Sequence, residues 1–128
     1  LKLHLDAGGG ANQFTGYGDG YVSVNGTRFA ASLIVLPREL LPDWPPTRFE
    51  ALAAEHFADL ATREIEIVLL GTGARLRFPH PEVTRPLIDA RIGVEVMDVP
   101  AACRTYNILM AEGRKVAAAL LLDTVAVR

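Results

Sequence analysis

The sequence is poor in the residues that would make its chemistry obvious. It holds one cysteine, Cys103, in 128 residues. A lone cysteine excludes an internal disulfide and fits a reducing cytosol. The three histidines, His4, His56 and His80, have no His-x₃-His spacing and no paired cysteine, so no metal site is expected. Thirteen basic residues face fifteen acidic ones, a formal net charge of −2. That balance excludes a general nucleic-acid binder held by phosphate contacts. Long apolar runs are also missing. The stretch 116–122 is far too short to span a bilayer, and Leu1–Asp6 lacks the apolar region of a leader. The expectations are no direct membrane insertion and a cytoplasmic location.

What is present is a globular composition, 50% apolar and 22% charged. A chain of this length buries about two-thirds of its unfolded surface, enough for a core without staples. One α/β domain is expected over 14–128, preceded by a flexible segment, 1–13. In that segment Leu1, Leu3 and Leu5 alternate with Lys2 and His4, which suits a short edge strand. Asp6–Asn12, with three consecutive glycines, reads as a mobile loop.

Asn25-Gly26 between two β-rich runs predicts a hairpin over about 20–36, because both residues tolerate positive φ. Its second arm, 30–36, is apolar on both faces and should lie inside a sheet. Four prolines between Pro37 and Pro46 leave an ordered loop around the single Trp44. Thr47-x-x-Glu50 reads as a capping box opening a helix to about residue 60, with Phe49, Leu52, His56, Phe57 and Leu60 on one face. His56 is expected to be a packed core histidine. A strand follows at 65–70, ending in Gly71-Thr-Gly73. Pro81 opens a second helix carrying Val83, Leu87, Ile88 and Ile92, stopped by Gly93. A strand at 94–97 leads to Asp98, which caps a third helix ending at Gly113. The last strand is 115–122. Strands linked by helices favour right-handed parallel crossovers. The fold expected is a layered α/β domain. It has a mixed central sheet of about five strands, made of the N-terminal hairpin and three helix-linked, largely parallel strands, with helices packed on it.

The best site candidate comes from topology. Ligands of open α/β sheets bind beyond the carboxyl ends of the parallel strands. There the loop Gly71, Thr72, Gly73, Arg75, Arg77 should face Asp98 and Arg104 if strands 65–70 and 94–97 are neighbours. Helix N-terminal amides and three arginines would suit an anion; the plainer reading is a tight glycine turn with solvated arginines. Known phosphate motifs do not fit. Gly71-x-Gly73 continues to Leu76, where a dinucleotide fingerprint needs Gly or Ala, and no Gly-Lys-Ser/Thr follows. No Gly-x-Ser-x-Gly turn supplies a serine nucleophile. Cys103 sits in the first turns of the third helix, beside Arg104, where a thiolate would be favoured. Its neighbours Ala101, Ala102 and Tyr106 favour instead a small buried hydrophobe. Asn107, a weak helix former in mid-helix, reads as a latch to the 71–77 loop, or else as a ligand contact. No catalytic set and no cofactor are expected.

Gly71-Thr-Gly73, Gly93-Val-Glu-Val-Met-Asp98, Ala102-Cys-Arg-Thr-Tyr-Asn107 and Glu112-Gly-Arg114 together resemble a domain-of-unknown-function family. It includes the mitochondrial respiratory complex I assembly factor 3 and many small bacterial and archaeal proteins. The resemblance covers about 14–122 and is most specific over 67–122. It implies a compact α/β fold with a mixed sheet, and no established catalytic residue or cofactor. It also implies that the mitochondrial relative acts with a partner factor while a membrane complex is assembled. Val99 departs from the Thr expected after the aspartate, which weakens a polar site at that turn. The leading expectation is therefore a non-enzymatic interaction protein with a protein partner, an assembly factor or subunit of a membrane complex of the NADH dehydrogenase type. It would expose an apolar patch around Trp44 or the hairpin edge. The alternative is a small-molecule or anion-binding enzyme using the loops 71–77 and 98–106. A homodimer is a further expectation, because an edge hairpin needs cover.

Overall fold

A computed structural model describes residues 10–122. Its centre is a five-stranded mixed sheet. In chain order the strands of the molecule are β1 (Phe14–Gly18), β2 (Tyr21–Val24), β3 (Thr27–Phe29), β4 (Leu33–Leu36), β5 (Glu39–Leu41), β6 (Ile67–Gly71), β7 (Gly93–Met97) and β8 (Val116–Leu120). The large sheet has the order β5-β4-β8-β6-β7. β8, β6 and β7 run parallel, while β4 is antiparallel to β8 and β5 to β4. The expected class and the mixed five-stranded sheet are both present.

The hairpin is placed differently. Asn25 (φ 51°) and Gly26 (φ 87°) form the expected turn, but its arms are β2 and β3. They join β1 in a separate three-stranded antiparallel sheet. The chain leaves that sheet at the exposed residues Ala30 and Ala31. Leu33, Ile34 and Val35 are buried. An element apolar on both faces satisfies itself only in the interior, so β4 crosses to the large sheet and pairs with β8.

β8 occupies the middle of the large sheet. Val116 and Ala117–Leu120 are fully buried. Three alanines are poor strand formers by propensity, yet their small side chains let a layer pack closely on each face. On one face lie the three-stranded sheet and α2 (Val99–Ala111), over a core that includes Phe14, Tyr106 and Ala118. On the other lie Trp44, three short 3₁₀ turns and α1 (Arg85–Asp89), over Phe57, Leu60 and Leu87.

The helix expected from Thr47 does not form. Residues 49–51, 54–57 and 60–62 are 3₁₀ turns; extended residues Leu52 and Ala53 separate the first two, while Ala58 and Asp59 join the last two in a helical conformation. Glu50 cannot close a capping box because its carboxylate is engaged by Arg77, Nη1 to Oε2 3.0 Å. His56 is half-buried rather than fully packed, and its Nδ1 accepts the Ala53 N–H at 2.9 Å, fixing the break. Trp44 is buried, with Nε1 donating to the His56 carbonyl at 3.0 Å. The apolar patch expected around Trp44 is therefore absent. The second helix is shorter than expected: residues 81–83 form a turn and only 85–89 are helical. Pro86 falls in its first turn, where a missing N–H is tolerated. Val83, Leu87 and Ile92 pack inward, but Ile88 is exposed.

The third helix matches its reading. Asp98 Oδ1 accepts from Ala101 N at 2.8 Å, and Gly113 (φ 82°) ends the helix. The edge strand expected at Leu1–Leu5 lies outside the described residues, as do residues 6–9 of the loop. The loop's last residues are held. Ala11 is buried, Asn12 N–H donates to Pro37 O at 2.9 Å, and Asn12 Nδ2 donates to Leu36 O at 2.8 Å.

Candidate functional site

β6 and β7 are parallel neighbours, so the two loops at their carboxyl ends do meet. They meet tightly. Thr72 N–H donates to Met97 O at 2.9 Å, and Val99 N–H donates to Gly73 O at 2.8 Å. Gly71 is pressed between layers: a Cβ there would lie 2.8 Å from Leu120 Cδ2 and 3.2 Å from Val99 Cγ2. Thr72 is buried, and its hydroxyl donates to Arg75 O at 2.8 Å and accepts from Arg77 N at 3.1 Å. Gly73 takes φ 104°, which a side chain would strain.

The start of α2 is closed to an anion. Val99 N–H is used by Gly73, Pro100 has none, Ala101 N–H is used by the Asp98 side chain, and Ala102 N–H by the Asp98 carbonyl at 3.0 Å. An anion site needs free amides at a helix start, and here the first turn has spent them. The arginines also diverge. Arg75 is exposed. Arg77 lies over the Phe49 ring, 4.6 Å from its centroid, and pairs with Glu50. Arg104 Nη1 donates to Tyr17 Oη at 2.7 Å. Phe49 belongs to the Trp44 layer and Tyr17 to the α2 layer, so Arg77 and Arg104 stand on opposite faces of the sheet. The structure does not bring the expected cationic set together.

Asn107 is a latch, but to a different element. Its Oδ1 accepts from Phe14 N at 2.9 Å and its Nδ2 donates to Phe14 O at 2.8 Å. The carboxamide thus serves as a strand partner for β1 and ties the small sheet to α2. Tyr106 adds a second tie, its hydroxyl donating to Asn12 O at 3.0 Å. Burial raises the Tyr106 hydroxyl above its ordinary pKa. Cys103 is fully buried. Burial pushes its thiol up to about 12, only partly offset by Arg104. It is a packing residue here, not an exposed thiolate.

Beyond the strand ends lies a cleft of about 550 Å³. The turn Tyr17–Gly20 forms one wall, Gly73 and Ala74 another, and Val99, Pro100, Leu121 and Leu122 complete it. Its charged group is Asp19, so the cleft is apolar and faintly acidic. The sequence marks the turn at 16–20 only by its glycines, and nothing local tells that the small sheet folds over the large one. A second cavity of about 590 Å³ lies at the opposite end, between the Pro37-Arg38 turn and the end of α2. Lys115 there pairs with Glu64, and Arg114 with Glu66. Among the described residues no group of three or more His, Cys, Asp or Glu could hold a metal ion, and no helix is long and apolar enough to cross a membrane.

The features that remain unpartnered are on the outside. Leu76 is 48% and Phe78 73% exposed. Arg77 between them is anchored by Glu50, Phe49 and Thr72, so this segment is pinned while two apolar side chains reach solvent. Ile88 and Ile108, 56% and 60% exposed, stand elsewhere on the surface; Leu76 and Phe78 differ in lying two residues apart on one segment.

These properties define a small mixed α/β protein with closed strand-end loops and an exposed apolar segment. The chain belongs to the family described as protein of unknown function (DUF498/DUF598), which matches residues 14–121. It is 38% identical to the NADH dehydrogenase [ubiquinone] 1 alpha subcomplex assembly factor 3 of Bos taurus, over 82% of this chain and 60% of that protein. The matched stretch therefore spans less than two-thirds of that relative. An uncharacterised protein of Rhodobacter capsulatus is 31% identical, over 88% of this chain and 86% of its own length. Among solved structures, a Bordetella parapertussis protein superposes with a TM-score of 0.82 at 45% identity, covering 88% of this chain and 97% of its own. A Bordetella pertussis protein described as a Mth938-like domain superposes with a TM-score of 0.78 at 39% identity, covering 96% and 93%.

Proposed function

We propose that this chain is a non-enzymatic protein that binds other proteins while a membrane complex of the NADH dehydrogenase type is assembled. The observation that carries this reading is the 38% identity to assembly factor 3 across 82% of the chain. The exposed pair Leu76 and Phe78 supports it, because a rigidly held apolar segment is what a docking protein needs. So do the closed helix start and the enclosed Cys103, which remove two groups a catalyst would use. On this reading the protein works in the cytoplasm and reaches the membrane through its partner. Of the two expected assemblies we carry forward the one with a different protein. The hairpin edge, β3, is three residues long, and its Arg28 covers the Tyr21 ring at 3.8 Å, giving that edge a short, charged border.

The test is deletion of the gene in its source organism, with native-gel and activity measurements of membrane NADH dehydrogenase. Loss of the assembled complex, restored by the wild-type gene, supports the reading. An unchanged amount of active complex rejects it.

The cleft at the strand ends favours a second reading, a small-molecule binder. With the amides used and Asp19 at its wall, it would take a neutral, largely apolar ligand rather than an anion. A thermal-shift screen separates the two: stabilisation by neutral apolar compounds, lost when Ala74→Phe fills the cleft wall, would support it.

A further inference from the structure

The two faces of the large sheet are covered, but among the described residues no strand pairs on the outer side of either edge, β5 or β7. β7 is the last strand of the order and, among the described residues, pairs with β6 alone. Four of the described strands are edges: β5 and β3 have three residues each, while β7 and β1 have five, and β1 differs from β7 in carrying a register shift between Phe14 and Gly16 and in having its Phe14 N–H and C=O taken by Asn107. Glu39 of β5 is also engaged by Arg63. β7 contains no proline, and its register with β6 runs without a bulge from Gly93 to Met97. Of the usual devices that blunt an edge it therefore lacks the proline and the bulge and carries one, the exposed charge of Glu95.

The direction of its backbone groups follows from two bonds. Gly93 N–H donates to Glu66 O at 2.9 Å, and Met97 O accepts from Thr72 N at 2.9 Å. Gly93 and Met97 thus face β6, and by the two-residue period so does Glu95. Val94 and Val96 then point their N–H and C=O groups away from the sheet. Their side chains pack half-buried on the Trp44 face, where α1 leaves Ile88 56% exposed. Glu95 is exposed on the opposite face.

The geometry points to β7 as a strand-addition site for an extended segment of another protein, with the pattern apolar, Lys or Arg, apolar. The inference deepens the protein-partner reading above and rests on it for the origin of the segment. Backbone bonds to Val94 and Val96 would supply affinity, as in other strand additions. The two flanking residues would lie beside Val94 and Val96 and extend the apolar face. The central residue would stand opposite Glu95, where an opposite charge is favourable and a like charge is not. The same rule acts against a second copy of this chain. The one antiparallel register that pairs all five β7 residues of two copies sets Glu95 against Glu95.

Two synthetic probes test this, acetyl-Thr-Val-Lys-Val-Thr-amide and the same peptide with Glu in place of Lys. Amide hydrogen exchange of the intact chain is read by NMR with each. With the Lys peptide at ten times its dissociation constant, exchange at Val94 and Val96 should slow by about tenfold. The Glu peptide should bind at least several-fold more weakly. Glu95→Lys should reverse that preference while leaving the melting temperature unchanged. Val96→Pro removes one outward N–H without breaking a bond to β6, and should abolish protection at Val94. Val94 and Val96 amides already protected in the free monomer, equal binding of both peptides, or protection at β3 or β5 instead would overturn the inference. So would a concentration-dependent dimer protected at β7.

In the deletion strain, Glu95→Lys and Val96→Pro genes should fail to restore the dehydrogenase. Full restoration by both, where deletion abolished it, would reject the β7 site and leave the assembly reading standing. Lys-selective peptide binding in a strain whose dehydrogenase is indifferent to deletion would reject the assembly reading and keep the site.

Discussion

Asn107 shows how much a single side chain can decide. A mid-helix asparagine must find partners when it is shielded from water, and that need was visible in the sequence. Its partner was not, because Phe14 lies 93 positions away. Replacing it with leucine leaves the Phe14 N–H and C=O both without their partner. The expected cost is about 1–3 kcal/mol, read as a lower urea midpoint. Cys103 makes a different prediction. Its folded pKa, about 12, lies above the ordinary 9.0, so the folded chain holds the proton more tightly. The contribution is complete below the ordinary value and is lost as pH rises toward the folded one. Stability should therefore fall by about 1.4 kcal/mol per pH unit more steeply in the wild type than in Cys103→Ala between those limits. Denaturant titrations across that range test it, and equal slopes would contradict the burial. Iodoacetamide at neutral pH should leave the folded thiol unmodified.

The elements divide by how local their causes are. α2 is announced by its own ends, Asp98 before it and Gly113 after it, and both act as read. Asp98→Ala should cost about 1 kcal/mol, measured by thermal or chemical unfolding, because Ala101 N–H loses its acceptor. The segment 47–62 looks like a helix by periodicity, yet folds as three 3₁₀ turns. There the pull comes from outside. Glu50 goes to Arg77, and Trp44 ties itself to the His56 carbonyl. β8 is the reverse case, a run of alanines that propensity would not choose as a central strand. Packing from both faces selects it. Ala118→Leu should overfill the layer under α2 and cost about 1–3 kcal/mol by the same unfolding measurement.

At the scale of the molecule, the exposed segment matters most. Leu76 and Phe78 contribute little to the core, so replacing both with serine should change stability by no more than about 0.5 kcal/mol. On the assembly reading the same double variant should recover less of its partner from gently solubilised membranes, quantified by mass spectrometry against the wild type. Equal recovery would move the docking surface elsewhere, with β7 the next edge to examine. The candidate site was legible only as a place. Topology located the strand ends correctly, and β6 and β7 proved adjacent. The chemistry expected there was not assembled, because Arg77 and Arg104 follow partners on opposite faces of the sheet.

The sequence by itself determined the class of fold, the Asn25-Gly26 turn, the capped helix α2 and the family. Those depend on capping chemistry, turn conformation and apolar patterning, which act over a few residues. Only the tertiary structure decided that the hairpin forms a sheet of its own, that the α2 amides are spent on Gly73 and Asp98, and which apolar groups stay in water. Each of these is a competition among distant partners for one hydrogen bond, one charge or one buried face, and such competitions are resolved only when the layers close.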